Sequence, residues 1–223
     1  TFSYEVAVII KDGIQKMYVD QKNYFYYITT TNENYEHPPM PKGSEEGIVK
    51  GMYKLIESKA PAIRLLGSGS ILNESIKAKS ILENYGIESE IWSVTSFNLL
   101  RKDGMEVERY NQLNPTKKEK QTYVEECFKN QSIPVIASTD YMRSYAEQIR
   151  PYIKDDFTVL GTDGFGRSDS RSSLREFFEI DANSIVRASA YTLFKNGTLD
   201  KKKLKEIYDD LEVDPLKPNP WEV

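Results

Sequence analysis

Cysteine and histidine are scarce in this sequence, and their scarcity excludes several kinds of site. The 223 residues include one cysteine, Cys127, and one histidine, His37. A single cysteine excludes an internal disulfide framework and favours a reducing, cytoplasmic location. One histidine and one cysteine cannot form a structural zinc site of the usual kind. Because His37 lies in a proline-rich loop with no sign of approaching Cys127, we interpret Cys127 as a buried, unreactive thiol.

Long apolar runs and a surplus of positive charge are also missing. No hydrophobic stretch approaches the roughly 20 residues that a membrane-spanning helix needs, and no signal peptide is recognisable. The net charge of −4 argues against a nucleic-acid-binding protein, which normally carries a basic surplus. With 39% hydrophobic and 29% charged residues, the chain is expected to bury a sizeable core. Periodic structure is predicted from almost the first residue, Thr1, as we expect of a fragment excised from a longer chain.

The first 45 residues are predicted to differ in organisation from the rest. Residues 4–18 have the periodicity of a helix, although the run at 6–10 is also compatible with a buried strand. Residues 24–31 (YFYYITTT) are aromatic and β-branched, which predicts a strand. Residues 32–43 contain prolines at 38, 39 and 41, which favour a loop and forbid a helix. We therefore expect a domain boundary near residue 45.

Strands and helices alternate beyond that boundary. Strands are predicted at 52–56, 62–66, 90–94, 134–138 and 157–160. Helices are predicted over about 71–85, 123–129, 142–149, 172–178, 183–195 and 201–211, the first of them stopped by Gly86. This order predicts an α/β fold with a mostly parallel sheet covered on both faces. The strand at 52–56 is expected to run antiparallel, because only a short link joins it to the next strand.

Two glycine-containing loops follow predicted strands, where α/β folds place ligands. Gly67–Ser70 could hold a phosphate at a helix N-terminus, or it could be a tight turn in which Ser68 or Ser70 caps the helix. It is neither a P-loop nor a dinucleotide fingerprint. Gly161–Arg171 is rich in charge, and its arginines could clamp a carboxylate or phosphate or could tie the loop to a neighbouring element or subunit. The candidate contact residues of the two loops are Ser68, Ser70, Thr162, Asp163, Arg167, Asp169 and Arg171.

No catalytic constellation is recognisable in the sequence. Ser138 and Thr139 lie at the end of a predicted strand, and we expect one or the other to cap the following helix. No histidine lies beyond residue 37, so no serine there has the usual base of a triad. We therefore predict no catalytic, cofactor-binding or metal-binding residue in this chain.

Several blocks of the sequence together resemble one enzyme family. They are YYITTTNENYEHPPMPKGSEEGIVKGMYKL (26–55), LLGSGSIL (65–72), WSVTSFNLLRKDGMEVERYNQLNP (92–115), ASTDYMRSYAEQIRPYI (137–153) and LGTDGFGRSDSRSSLREFFEIDA (160–182). In content, order and spacing they resemble the C-terminal region of the homodimeric, bacterial-type decarboxylating first component of the pyruvate dehydrogenase complex. The Gly161–Arg171 block is the most specific of them, and shorter forms of it occur in transketolases.

The resemblance implies a three-domain parent enzyme that uses thiamine diphosphate and Mg²⁺. Residues 1–45 would be the tail of its middle, pyrimidine-binding domain. Residues 46–223 would be its transketolase-type C-terminal domain, a three-layer αβα fold with a five-stranded sheet. The parent would decarboxylate pyruvate and reductively acetylate the lipoyl groups of the dihydrolipoamide acetyltransferase component.

The same resemblance implies that this chain is not catalytic alone. The family's GDG…N cofactor-and-metal motif does not occur here, and its activating glutamate and active-site histidines belong before Thr1. His37 lies where relatives place a histidine, but no catalytic role follows for it. A second hypothesis is a binding module that recognises an anionic metabolite or the acetyltransferase through Gly67–Ser70 and Gly161–Arg171.

Overall fold

A five-stranded sheet lies at the centre of the computed structural model, which describes residues 1–222. The strands are β1 (Met52–Ile56), β2 (Ile63–Gly67), β3 (Ser89–Val94), β4 (Val135–Ser138) and β5 (Phe157–Leu160). Their spatial order is β1-β3-β2-β4-β5. β1 runs antiparallel to β3, and the other neighbours are parallel. The predicted mixed sheet is confirmed, and each strand ends within one residue of its predicted limits.

Helices surround the sheet. They are α1 (Ser3–Ile14), α2 (Glu45–Lys50), α3 (Leu72–Asn84), α4 (Phe97–Leu113), α5 (Tyr123–Phe128), α6 (Arg143–Glu147), α7 (Arg171–Phe177), α8 (Ala182–Lys195) and α9 (Lys201–Asp210). α1 continues into a π-helical turn at Gln15–Val19, so the helical interpretation of residues 4–18 is confirmed and the strand alternative is wrong. The sequence did not predict α2 or α4.

The side chains of the strands alternate between two hydrophobic layers, as expected for a sheet that is covered on both faces. Ile63, Leu65 and Ile91 face one layer, which is completed by α3, α8 and α9. Leu66 and Trp92 face the opposite layer, which is completed by α4, α5 and α6. The three-layer αβα arrangement follows from this alternation.

The predicted strand at Tyr24–Thr31 is wrong, because these residues form neither strand nor helix. Aromatic and β-branched residues favour a strand only when a neighbouring strand accepts and donates the backbone hydrogen bonds. No strand lies beside this segment within residues 1–222. The loop predicted at 32–43 is confirmed as non-helical.

Candidate functional site

A cleft lies where the parallel strands β2, β4 and β5 end. Because these strands point the same way, the loops after them meet at one edge of the sheet. The cleft has a volume of about 550 Å³. Ser70 follows β2, Asp140 follows β4, and Thr162 follows β5; all three line the cleft. Its other wall is formed by residues 30–33, which come from the long loop before α2.

Four of the seven predicted contact residues lie around this cleft. They are Ser70, Thr162, Arg167 and Arg171. Thr162 is fixed by its hydroxyl, which donates to the carbonyl oxygen of Asp140 at 3.0 Å. The structure therefore brings the two predicted loops together, although what they bind, if anything, stays a prediction.

The other three predicted contact residues have local bonding roles. The buried Ser68 hydroxyl donates to Thr139 Oγ1 at 2.9 Å. The Asp163 carboxylate accepts a hydrogen bond from the backbone N–H of Arg143 at 3.1 Å and lies 3.3 Å from Arg143 Nε. Asp169 accepts a hydrogen bond from its neighbour's backbone N–H, that of Ser170, at 2.6 Å.

The predicted serine and threonine side chains form no helix-capping bonds. Ser68 occupies the N-cap position of the helical turn that begins at Gly69, but its side chain makes no capping hydrogen bond there. Ser138 and Thr139 do not cap α6, whose N-cap is Met142. The Ser138 hydroxyl is instead 3.0 Å from that of Ser75 on α3. These hydroxyls are buried between neighbouring elements, so they bond with one another across the fold instead of with a helix end.

An ion-pair network that the sequence analysis missed closes the floor of the cleft. Arg175 bonds through both terminal nitrogens to the carboxylate of Glu33, and its Nη1 is 3.2 Å from Glu74 Oε1. Burial alone would lower the pKa of the Arg175 guanidinium, but the two carboxylates outweigh it and raise that pKa. Arg171 Nη2 donates to Asn32 Oδ1 at 2.6 Å. Arg175 follows Arg171 by four residues on α7, and that spacing was the available signal for a shared helix face.

Among the residues that the structure describes, Arg167 forms no ion pair, and its guanidinium lies 4.6 Å from the centre of the Phe177 ring. The other two arginines of the cleft, Arg171 and Arg175, are paired with the carboxylates of Glu33 and Glu74, and Asp140 adds a further carboxylate to the lining. The cleft has no clear excess of positive charge, which a strong anion site needs.

Cys127 and His37 lie in separate parts of the structure. Burial is the main reason that the pKa of the Cys127 thiol is raised, which disfavours the reactive thiolate. His37 Nδ1 accepts a hydrogen bond from the backbone N–H of Ser3 at 3.1 Å, and its ring stacks on Tyr35 with the ring centres 5.2 Å apart. Both side chains are engaged in packing.

The residues that the structure describes offer no cluster of side chains that could hold the Mg²⁺ of a thiamine diphosphate site. In residues 1–222 no three or more histidine, cysteine, aspartate or glutamate side chains are grouped closely enough to hold a metal ion. Asp163 in the Gly161–Gly164 loop is engaged with Arg143, so it is not free to act as a ligand. In the same range, no helix is both long and apolar enough to cross a membrane.

A known domain family matches more than half of the chain. Residues 51–181, more than half of the chain, match the family described as the transketolase-like TK C-terminal domain. The chain belongs to this family. Residues 1–38 match the middle domain of the pyruvate dehydrogenase E1 component. The resemblance recognised in the sequence is therefore confirmed.

Curated relatives agree with this assignment. The chain is 52% identical over 225 residues to the pyruvate dehydrogenase E1 component of Pseudomonas aeruginosa, covering 99% of this chain and 26% of that protein. It is 49% identical over 224 residues to the E1 component of Escherichia coli, covering 98% of this chain and 25% of that protein. The chain thus spans about a quarter of the length of these relatives.

Solved transketolases share the fold. A transketolase from Pichia stipitis superposes with a TM-score of 0.51 at 18% sequence identity, covering 73% of this chain and 21% of that one. Transketolase from Leishmania mexicana gives a TM-score of 0.50 at 18% identity, covering 70% of this chain and 20% of that one. The predicted transketolase C-terminal-type fold is confirmed.

Proposed function

We propose that this chain is the C-terminal part of a pyruvate dehydrogenase E1 component. The observation that carries the proposal is the 52% identity to the Pseudomonas aeruginosa E1 component across 99% of the chain. Identity at this level across nearly every residue is far above what a shared fold alone produces, since the Pichia stipitis and Leishmania mexicana transketolases that share the fold are each 18% identical.

The activity then belongs to a longer enzyme. That enzyme decarboxylates pyruvate and transfers the two-carbon unit to lipoyl groups of a dihydrolipoamide acetyltransferase, as a cytoplasmic homodimer. Thiamine diphosphate, bound with Mg²⁺ by other domains, supplies the electron sink that such a decarboxylation needs. In this assignment residues 1–45 are the tail of the middle domain, and residues 46–223 are the C-terminal domain.

The role that we assign to this chain is structural. The Glu33–Arg175–Glu74 network joins the segment before residue 45 to α7 and α3. Such a network of partly buried charges favours one arrangement of its elements, because the charges are paired in that arrangement. The cleft therefore orients the middle-domain tail against the C-terminal domain.

The alternative is an anion-binding module acting through Gly67–Ser70 and Gly161–Arg171. The cleft of about 550 Å³ lined by Ser70 and Thr162 favours it. The pairing of Arg171 and Arg175 with Asn32, Glu33 and Glu74 weighs against it, because an incoming anion would have to displace these partners. Only Arg167 is left to bind an anion without that exchange.

Calorimetry and a chimaera test both possibilities. We expect the 223-residue chain to show no binding heat with thiamine diphosphate and Mg²⁺, with pyruvate or with inorganic phosphate. Joined to the upstream domains of the Pseudomonas aeruginosa relative, it should support pyruvate-dependent release of carbon dioxide, with that relative's own C-terminal part as the control.

Micromolar cofactor binding by the chain alone, or a folded but inactive chimaera, would contradict the proposal. Phosphate binding that is lost in Arg167→Ala would favour the alternative.

A further inference from the structure

Most of the segment Tyr24–Thr31 has no backbone partner in the part of the chain that the structure describes. Within residues 1–222, no backbone–backbone hydrogen bond joins residues 25–31 to any other part of the chain. Seven consecutive residues therefore leave their N–H and C=O groups to solvent. A row of unpaired backbone groups in a segment of high β-propensity is a template for another strand.

At the centre of the segment, Tyr26 faces the protein while Phe25 and Tyr27 face solvent. The Tyr26 hydroxyl donates to Asp12 Oδ2 at 2.6 Å, and its ring packs against Gly13 of α1. Its two neighbours face outward, with Phe25 87% exposed and Tyr27 88% exposed. Tyr26 against a helix, between two apolar side chains that face the other way, is the side-chain arrangement of an extended strand with one face already covered.

Further exposed apolar side chains lie in the helical residues that precede the segment in the chain. Ile14 is 51% exposed, Tyr18 is 75% exposed and Val19 is 64% exposed. Together with Phe25 and Tyr27 they place five exposed aromatic or aliphatic side chains within residues 14–27. Residues 24–31 also contain no charge and no proline, the features by which natural proteins protect an edge strand. This surface is thus built to be covered.

We propose that Tyr24–Thr31 is a strand that pairs with an edge strand of the remaining middle domain of the longer enzyme, with α1 on one face of the resulting sheet. Two observations select this occupant. Residues 1–38 match the E1 middle domain, so the segment lies inside that match. The chain also spans only about a quarter of its curated relatives, so the length needed for such a partner exists in those proteins. The inference rests on the proposed function.

Hydrogen exchange measured by mass spectrometry tests the pairing. In the chain joined to an upstream middle domain, amides 25–31 should exchange at least about 100-fold more slowly than in the 223-residue chain alone, because ladder hydrogen bonds must open before exchange. Equal rates in an enzyme that still decarboxylates pyruvate would overturn the pairing and leave the proposed function intact. Protection of the 223-residue chain that grows with its concentration would also overturn it, in favour of a second copy as the partner.

Proline variants separate strand pairing from simple burial. Tyr27→Pro and Ile28→Pro each remove one backbone N–H, and consecutive amides point to opposite sides of a strand. At least one of them should therefore return residues 25–31 of the longer protein to the fast exchange of the short chain. Ile28→Thr keeps the amide and should retain the protection. Both proline variants should leave the melting temperature of the 223-residue chain unchanged, and slow exchange surviving in both would refute the pairing.

Discussion

Glu90 holds a negative charge within the sheet. It is 2% exposed and accepts hydrogen bonds from Trp92 Nε1 at 3.0 Å and from Arg64, which lies directly opposite on β2. Lys54 Nζ lies 2.9 Å from its other carboxylate oxygen. The sequence placed Arg64 and Glu90 in predicted strands, but it could not pair them, because strand order and register are tertiary properties.

Replacing Glu90 by glutamine should destabilise the fold by about 3–5 kcal/mol, because the buried Arg64 charge loses its partner. Burial alone would raise the pKa of Glu90, but the bonds from Trp92, Arg64 and Lys54 outweigh it and lower that pKa. A carboxyl whose pKa is lower in the folded state stabilises the fold above its unfolded pKa of about 4.3, and loses this contribution as the pH falls through the folded pKa.

Urea unfolding at pH 7 and at steps down to pH 3 measures both effects. The wild-type protein should lose stability in acid, and Glu90→Gln should lose less on acidification. Glu147→Gln is the matched control, since Glu147 pairs with Arg150 at the surface and such pairs contribute about 0–1 kcal/mol. Equal losses in the two variants at pH 7 would show that the Glu90 cluster does not stabilise the fold.

At the level of the elements, the strands were predictable and some helices were not. The β-strands are short hydrophobic runs bounded by turn residues, so composition alone located them. α4 was missed although it has 17 residues, since Asp103 and Gly104 lie at its centre and an Asp-Gly pair usually marks a turn. Ser96 starts this helix by accepting a hydrogen bond from the backbone N–H of Leu99 at 3.2 Å. Gly104 is required inside this helix by a contact with a residue distant in the chain, which no local sequence pattern can reveal.

Gly104 allows α4 to lie directly against the ring of Tyr152. A Cβ at position 104 would be only 2.1 Å from Tyr152 Cζ, and Tyr152 is 7% exposed. Alanine would favour the helix itself by about 1 kcal/mol, but overpacking at a buried contact costs about 1–3 kcal/mol. We therefore expect Gly104→Ala to lower the free energy of unfolding in urea, despite its better helix propensity.

Gly166→Ala is the control for this substitution, because no atom lies within 4 Å of the added Cβ. It should change stability by less than about 0.5 kcal/mol. The double variant Gly104→Ala, Tyr152→Leu should lose less than the sum of the single variants, since the shorter side chain relieves the contact. A Gly104→Ala protein as stable as the wild type would mean that the ring of Tyr152 moves aside freely.

Across the whole molecule, the sequence located loops but not the contacts between distant segments. It predicted that Gly67–Ser70 and Gly161–Arg171 lie at the carboxyl edge of the sheet, which topology alone requires. It did not predict that Glu33 reaches Arg175, 142 residues away in the chain. Nor did it predict that Phe2 enters the same hydrophobic layer as β2 and α3. Residues on both sides of the predicted boundary at 45 therefore share one core.

Removing residues 1–45 should consequently destabilise the remainder, although the sequence alone favoured an independent domain from residue 46. Phe2 is 1% exposed, and loss of a buried phenylalanine side chain costs about 3–5 kcal/mol. Glu5 accepts hydrogen bonds from the hydroxyls of Tyr53 at 2.7 Å and Ser93 at 2.6 Å. Without Glu5 these donors lose their acceptor, at about 1–3 kcal/mol each while they stay buried.

Thermal and urea unfolding should be measured for two proteins, residues 1–223 and residues 46–223. The Phe2→Ala variant of the longer protein removes only part of the contacts that the truncation removes. We expect the melting temperature to fall in Phe2→Ala and to fall further in the truncated chain. Tyr18→Ala should have little effect, because Tyr18 is 75% exposed. If residues 46–223 unfold at the same temperature as residues 1–223, the first 45 residues do not contribute to the stability of the remainder. If its stability falls as expected, residues 1–45 contribute to the same core as residues 46–223, and that core is completed across the predicted domain boundary.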